Sequence, residues 1–121
     1  MSETPTRPEL AILKHLWRAG EMSARDVHDR IADEFSWSYS TARTVLERMT
    51  DKGLVSKTPV KGVNYFRAQV DKVALLGRMI ADFSTRVLEL DGAPAAAFFA
   101  ESKLLSETEL ERLEELLRKQ A

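Results

Sequence analysis

Cysteine is absent from this chain of 121 residues, which excludes disulfides, thiolate metal sites and a cysteine nucleophile. No apolar run approaches the ~20 residues that a membrane-spanning helix needs. The opening "MSETPTRPEL" lacks the pattern of a signal peptide. The expectation is therefore a cytoplasmic protein without direct membrane binding. Histidine is scarce, and His15 and His28 lie on separate predicted helices with no carboxylate spacing that suggests a metal. There is no glycine-rich phosphate loop and no serine-elbow motif. The paired carboxylates of "DRIADEF" and "LERLEELLRK" sit on solvated helix faces among compensating bases. Neither an enzyme nor a bound cofactor or metal is expected. Internal repeats and low-complexity tracts are also missing.

What is present is the composition of an ordinary globular protein, 44% hydrophobic and 31% charged. The length suits one domain, or one small domain with an appended segment. The net charge of −1 is unevenly spread. Residues 1–37 carry five Lys/Arg against seven Asp/Glu, residues 38–69 six against two, and residues 70–121 seven against ten. A basic block is thus enclosed in an acidic chain.

Pro8 suits a first helical turn. Leu10, Leu13 and Trp17, widened by Ile12 and Leu16, recur at helical spacing as far as Gly20. Ser23 is read as the cap of a second helix, with Asp26 in capping-box position and Val27, Ile31 and Phe35 as the apolar edge. A third helix is predicted over "SYSTARTVLERMTDKG", residues 38–53. Ser38 is its N-cap, Ala42, Val45, Leu46 and Met49 its inward face, and Gly53 its stop. The period then changes. "LVSKTPVKGVNYFRA" reads as a β-hairpin turning at Lys61-Gly62, with Pro59 confined to an edge or to the turn because it has no N–H for a ladder. Three short helices followed by a hairpin is the order of a winged helix-turn-helix. The expected fold is mainly α with a small β-hairpin wing: a winged helix-turn-helix DNA-binding domain over residues 1–70, then a C-terminal helical dimerisation region over 71–121.

From Asp71 to Leu90 the pattern is helical again. Val73, Leu76, Ile80, Phe83, Val87 and Leu90 follow a heptad seam, widened by Leu75, Met79 and Leu88. "DGAP" breaks the helix, and "AAAFFAESKLL" is expected to form a short one. "SETELERLEELLRKQ" opens with a Ser106–Glu109 capping box and carries Leu110, Leu113, Leu116 and Leu117. Such a seam serves either a second copy or the chain's own last helix. A head of about 70 residues offers little apolar surface to cover two further helices, which favours a homodimer. Its expected contacts are the six seam residues together with Leu110, Leu113 and Leu117.

With the inward face of the third helix fixed, at about 100° per residue, Ser40, Thr44, Glu47 and Asp51 face outward. Arg43 flanks them on one side, and Thr41 and Arg48 on the other. A helix N-terminus offers free N–H groups and a positive dipole end to a phosphate. Hydroxyls and arginines on the first turns suit base edges in a major groove, with arginine favouring guanine. Lys57, Lys61 and Arg67 flank the hairpin's turn and strands, where a wing would track phosphates. The implied partner is double-stranded DNA, contacted by Ser40, Thr41, Arg43, Thr44, Arg48, Lys57, Lys61 and Arg67.

"ELAILKHLW", "SARDVHDRI", "WSYSTARTVLERMTDKGLVSK", "YFRA" and "FFAESKLLSETELERLEELL" together resemble the penicillinase repressor family, the BlaI/MecI type with its copper-responsive CopY relatives. The resemblance implies a bacterial homodimeric repressor whose winged helix binds an inverted-repeat operator and whose C-terminal helices form the dimer. It assigns Thr41, Arg43 and Thr44 to the groove, Arg48 to the basic position one turn later, and Lys61 to the wing tip. It also implies release from the operator by proteolysis, through a membrane metalloprotease sensor or its downstream protease. The chain departs from the family pattern at Tyr39, where proline is common. It departs again at Phe98-Phe99, where the family is cut between asparagine and phenylalanine. The cysteine cluster of the copper branch is missing. A winged helix used as a protein-interaction adaptor is the other reading, because a fold does not fix a function. Such a module has no need of the basic and hydroxyl pattern. Retention of a random duplex at low salt, released by added salt, separates the two.

Overall fold

Thr6 caps the first helix, and Pro8 stands in its first turn. In the computed structural model, which describes residues 4–119, α1 runs Arg7–Ala19. Thr6 Oγ1 accepts the N–H of Glu9 at 3.3 Å, and Glu9 Oε1 accepts the N–H of Thr6 at 2.9 Å, a reciprocal cap. Ile12, Leu13 and Leu16 are buried, and the Trp17 indole N–H donates to the carbonyl of Val70 at 3.2 Å.

The chain divides into two compact units, Met1–Val70 and Asp71–Ala121. In the first unit, Met22–Ser23 form a short strand β1, which two residues are too few to announce by any period. Ser23 then caps α2, Ala24–Phe35, through the expected exchange with Asp26. Ser36 ends that helix in the left-handed region, φ 53°, and Ser38 caps α3, Tyr39–Asp51. The tight turn between them is held by the His28 Nε2–H, which donates to the Trp37 carbonyl at 2.7 Å. Ala42, Leu46 and Met49 of α3 are buried and Val45 half-buried. Strands β2, Val55–Val60, and β3, Val63–Ala68, form the hairpin. Lys61 and Gly62 have φ of 51° and 82°, the two positive values that a type I′ turn requires. β1 pairs with the other side of β3, giving the antiparallel order β1-β3-β2. Pro59 therefore lies on an edge strand, where a missing N–H is tolerated.

Glu9 also ties α1 to the end of α3, with the Lys52 ammonium 2.7 Å from its Oε2. Burial pushes the Glu9 carboxyl up, but the hydrogen bonds from Lys52 and the Thr6 N–H outweigh it and hold the pKa below the ordinary glutamate value.

In the second unit Asp71 caps α4, Lys72–Asp82. The helix does not continue unchanged to Leu90 as the heptad spacing predicts. Phe83–Val87 widen into a π turn, closed by the Leu88 N–H donating to Phe83 O at 3.2 Å, and Glu89 at φ 56° leaves the helix. Thr85 donates its hydroxyl to the carbonyls of Ala81 and Asp82, at 3.1 and 3.3 Å, a competition with the backbone ladder that bends helices. A π turn holds one residue more than an α turn, which rotates the following side chains by about 100°. Val87 is thereby turned off the seam, and Leu90 lies beyond the end of the helix.

The rest of the seam is largely used within the protomer. Val73 and Ile80 pack with Leu110, Leu113, Leu116 and Leu117 of α5, Glu107–Lys119, and with Ala93, Ala96, Phe99 and Leu105. Gly77 faces this contact, and a Cβ there would lie 3.5 Å from the Leu113 side chain, an ordinary van der Waals distance. The expectation that all nine seam residues face a second copy is corrected accordingly. Val73, Ile80, Leu110, Leu113 and Leu117 meet one another because α5 folds back on α4. Phe83, Val87 and Leu90 are exposed, as are Leu88 and Phe98, while Leu76 is half-buried. The short helix expected near residue 98 is a 3-10 turn, Ala96–Phe99. Ser106 and Glu109 form the expected capping box, and Lys72–Glu109 and Arg112–Asp71 ion pairs at 3.0 and 2.9 Å join α4 to α5. Gln120, in the last predicted stretch, lies outside the described residues. Among the described residues no helix is long and apolar enough to cross a membrane.

Candidate nucleic-acid interface

The exposed side of α3 is built from hydroxyls whose hydrogen bonds are partly committed. Ser38 Oγ accepts the N–H of Thr41 and lies 3.1 Å from Thr41 Oγ1, so the cap orders the first turn. Thr44 Oγ1 donates to the Ser40 carbonyl at 3.1 Å. Its hydrogen is thus used, and it offers lone pairs and a methyl group. The lone pairs suit a base amino group and the methyl suits the thymine methyl. Ser40, Thr41, Arg43, Thr44 and Arg48 are all exposed. Neither arginine forms an ion pair among the described residues. Between Ser38 and Val45 the helix carries no acid, so the positive dipole end is not cancelled.

The three wing cations are disposed differently from one another. Lys61 is exposed at the turn, and its neighbours Gly62, Val63 and Asn64 line a groove shared with Tyr39, Arg43 and Glu47. Lys57 is engaged, its Nζ 3.2 Å from both carboxylate oxygens of Glu47. It cancels the acid on the outward face of α3. Lys57 pairs with Phe66 and Arg67 with Ser56. Successive strand residues point to opposite faces, so Arg67 projects from the side of the hairpin away from Lys57. The structure gathers the α3 residues, Lys57 and the wing tip, and leaves Arg67 apart.

Arg25, Tyr39 and Asn64 escaped the sequence reading as contact residues. They line the same groove, ≈ 290 Å³ in volume, which is walled by Ser23 and Ala24 at the start of α2, by α3 and by the wing tip. The Arg25 guanidinium carbon lies 4.1 Å from the centroid of the Tyr39 ring and that of Arg43 lies 5.8 Å away. His28 meets the same ring edge-on at 6.1 Å. The available signal was positional: Arg25 is in the first turn of α2 and Tyr39 opens α3. Among the described residues there is no group of three or more His, Asp or Glu that could hold a metal ion.

The penicillinase repressor family model matches residues 5–119. An uncharacterised 16.5 kDa protein from the ptsI 3′ region of Latilactobacillus sakei is 23% identical over 113 residues, 93% of this chain and 77% of that protein. The solution structure of the DNA-binding domain of the repressor BlaI is 23% identical and covers 60% of this chain and 90% of its own, with a TM-score of 0.51. The monomeric form of Bacillus licheniformis BlaI in complex with the blaP half-operator is likewise 23% identical, with the same coverage and a TM-score of 0.50. These structures share the winged helix-turn-helix fold.

Proposed function

The chain belongs to the penicillinase repressor family, whose members are transcriptional repressors and not enzymes, and from that membership we propose that it binds an inverted-repeat operator as a homodimer in the bacterial cytoplasm. In this reading α3 enters the major groove and the wing follows the phosphates beside it. One observation carries it: the exposed first half of α3 is free of acid and presents Ser40, Thr41, Arg43 and Thr44, with Arg48 a turn later. Arg43 and Thr44 read base edges. Lys61 contacts the backbone at the wing tip, Lys57 neutralises Glu47, and Arg67 serves only phosphates lying beyond the hairpin's outer face. The half-operator held by monomeric BlaI supports one head per half-site.

The exposed Phe83, Val87, Leu88, Leu90 and Phe98 supply the apolar surface for the second copy. A two-fold dimer then matches a palindromic site. Repression ends by a cut at Phe98-Phe99, made by a membrane metalloprotease sensor or its downstream protease. Phe98 is 81% exposed while Phe99 packs in the second unit's core, so the bond lies between an accessible and an anchored side chain. Cleavage there would release α5 and uncover Val73 and Ile80.

Titration of fluorescent duplexes tests the DNA reading. Arg43→Ala or Thr44→Ala should lower the preference for operator over random DNA by about 1–3 kcal/mol. Lys61→Ala should weaken both duplexes alike and reduce the salt slope by about one. Equal losses on both duplexes for all three variants would leave only a non-specific surface, and no binding at low salt would leave the adaptor.

A further inference from the structure

Arg25 and Arg43 come from different helices, yet both guanidiniums lie against one aromatic ring. At 4.1 and 5.8 Å from the Tyr39 centroid both are within cation–π range. Two like charges drawn to the same ring repel each other, and among the described residues neither has a carboxylate partner. Their donors open onto the groove between the start of α2 and the wing tip. The first N–H groups of α2, those of Ala24 and Arg25, have no acceptor within the helix. The Asn64 amide is on the opposite wall. Glu47, the acid in that lining, is neutralised by Lys57. The groove is thus a preformed, concave, positively charged site with converging donors.

We propose that Tyr39 is the post of an arginine clamp, holding the Arg25 guanidinium so that it grips one DNA backbone phosphate at the groove while Arg43, on the same ring, stays with the base edges. Arg25 contacts the phosphate, and Tyr39 is a positioning residue. A guanidinium fork suits a phosphodiester's paired oxygens, and stacking on a ring removes part of the side-chain disorder that binding would otherwise have to freeze. The clamp rests on the DNA-binding reading above, but not on knowing the operator, because a phosphate contact is blind to sequence.

The test uses the whole chain and a random-sequence duplex. Arg25→Ala should weaken binding about tenfold and reduce the salt slope by about one. Tyr39→Leu should weaken it by a smaller factor, whereas Tyr39→Phe, which keeps the ring face, should bind as the parent does. Thermal melting of each variant checks that the fold persists. A second arm, on an operator duplex fixed by footprinting, replaces single phosphates by neutral methylphosphonates. One position per half-site should weaken the parent but not Arg25→Ala. Parent-like affinity and salt slope in Arg25→Ala, equal losses in Tyr39→Phe and Tyr39→Leu, or additive effects of Arg25→Ala and every neutral linkage would each overturn the clamp while leaving the repressor reading intact. A parent protein that retains no duplex at low salt would overturn both.

Discussion

Glu47 faces outward in the middle of a helix assigned to DNA, where its carboxylate would repel phosphates. The Lys57 ammonium, 3.2 Å from both its oxygens, removes that repulsion. An exposed pair of this kind adds little to folding, so its value lies in the field presented to a duplex. Lys57→Met should therefore weaken random-duplex binding by about 1 kcal/mol or more, and adding Glu47→Gln should recover most of the loss, a non-additivity measurable in a double-mutant cycle. Equal binding by the single and double variants would show that Lys57 acts on the phosphates directly. The direction of Arg43 and Thr44 was legible in the sequence, because helical period and an apolar inward face fix it. The Glu47–Lys57 pairing was not, since it depends on how the wing lies against α3. The separation of Arg67 from Lys57 follows from strand parity, once the turn at Lys61 and Gly62 is placed.

At the scale of elements, caps and charge pairs set the response to acid. The carboxyl of Asp71 is held below its ordinary pKa, first by the Ala74 N–H and against the effect of burial, with further help from Arg112. That of Glu109 is lowered chiefly by the Ser106 N–H, again against burial, and further by Lys72. Glu9 shifts in the same direction. A folded-state pKa below the unfolded one means that the ionised form stabilises the fold. That contribution is complete above about pH 4–5 and is lost as the pH falls through the lowered values. Melting temperature followed by circular dichroism should drop in that acid range. Glu9→Gln should flatten the drop and cost about 1–2 kcal/mol near neutrality, and a profile as steep as the parent's would mean that Glu9 contributes nothing. Gly77 gives a second test. A Cβ there meets Leu113 at 3.5 Å, an ordinary contact, so Gly77→Ala should stabilise α4 by about 0.5–1 kcal/mol through helix propensity. Gly77→Leu should wedge α4 from α5 and lower the melting temperature. Helices α1 to α3, the hairpin and the start of α5 were legible from capping residues, period and turn chemistry. The π turn was not, because the three-and-four spacing runs through Phe83, Val87 and Leu90 without a break. The Thr85 hydroxyl bonds to the carbonyls of Ala81 and Asp82 within it, and neither feature leaves a trace in hydrophobic pattern.

For the whole molecule, the division of the seam changes which substitution tests the dimer. Ile80 packs with the α5 leucines, so Ile80→Asp would place a charge within the second unit's own core and unfold it. Phe83 is 51% exposed, and Phe83→Asp should leave each protomer folded while a charge is buried at the contact with its copy. Light scattering at micromolar concentration should find a dimer for the parent and a monomer for Phe83→Asp. A monomeric parent would mean that the exposed patch serves some other partner. Because each head would hold one half-site, operator affinity should fall with the dimer. Five base pairs inserted between half-sites should also abolish tight binding by turning one of them to the wrong side of the duplex.

A π turn is the form in which a helix carries one surplus residue, and here it follows the part of the seam buried in the protomer and itself bears the exposed Phe83 and Val87. The outward patch is therefore aimed by a length as much as by its side chains. Losing a single codon among those for residues 84–86 would restore a plain turn and swing Val87 and Leu88 by about 100°, with every apolar residue of the patch kept. Duplicated genes that differed by that codon would encode repressors with the same reading head and apolar patches facing different ways. With that patch as the proposed contact between copies, each product would favour its own kind in assembly, and two circuits would separate without a change to any residue proposed to touch DNA.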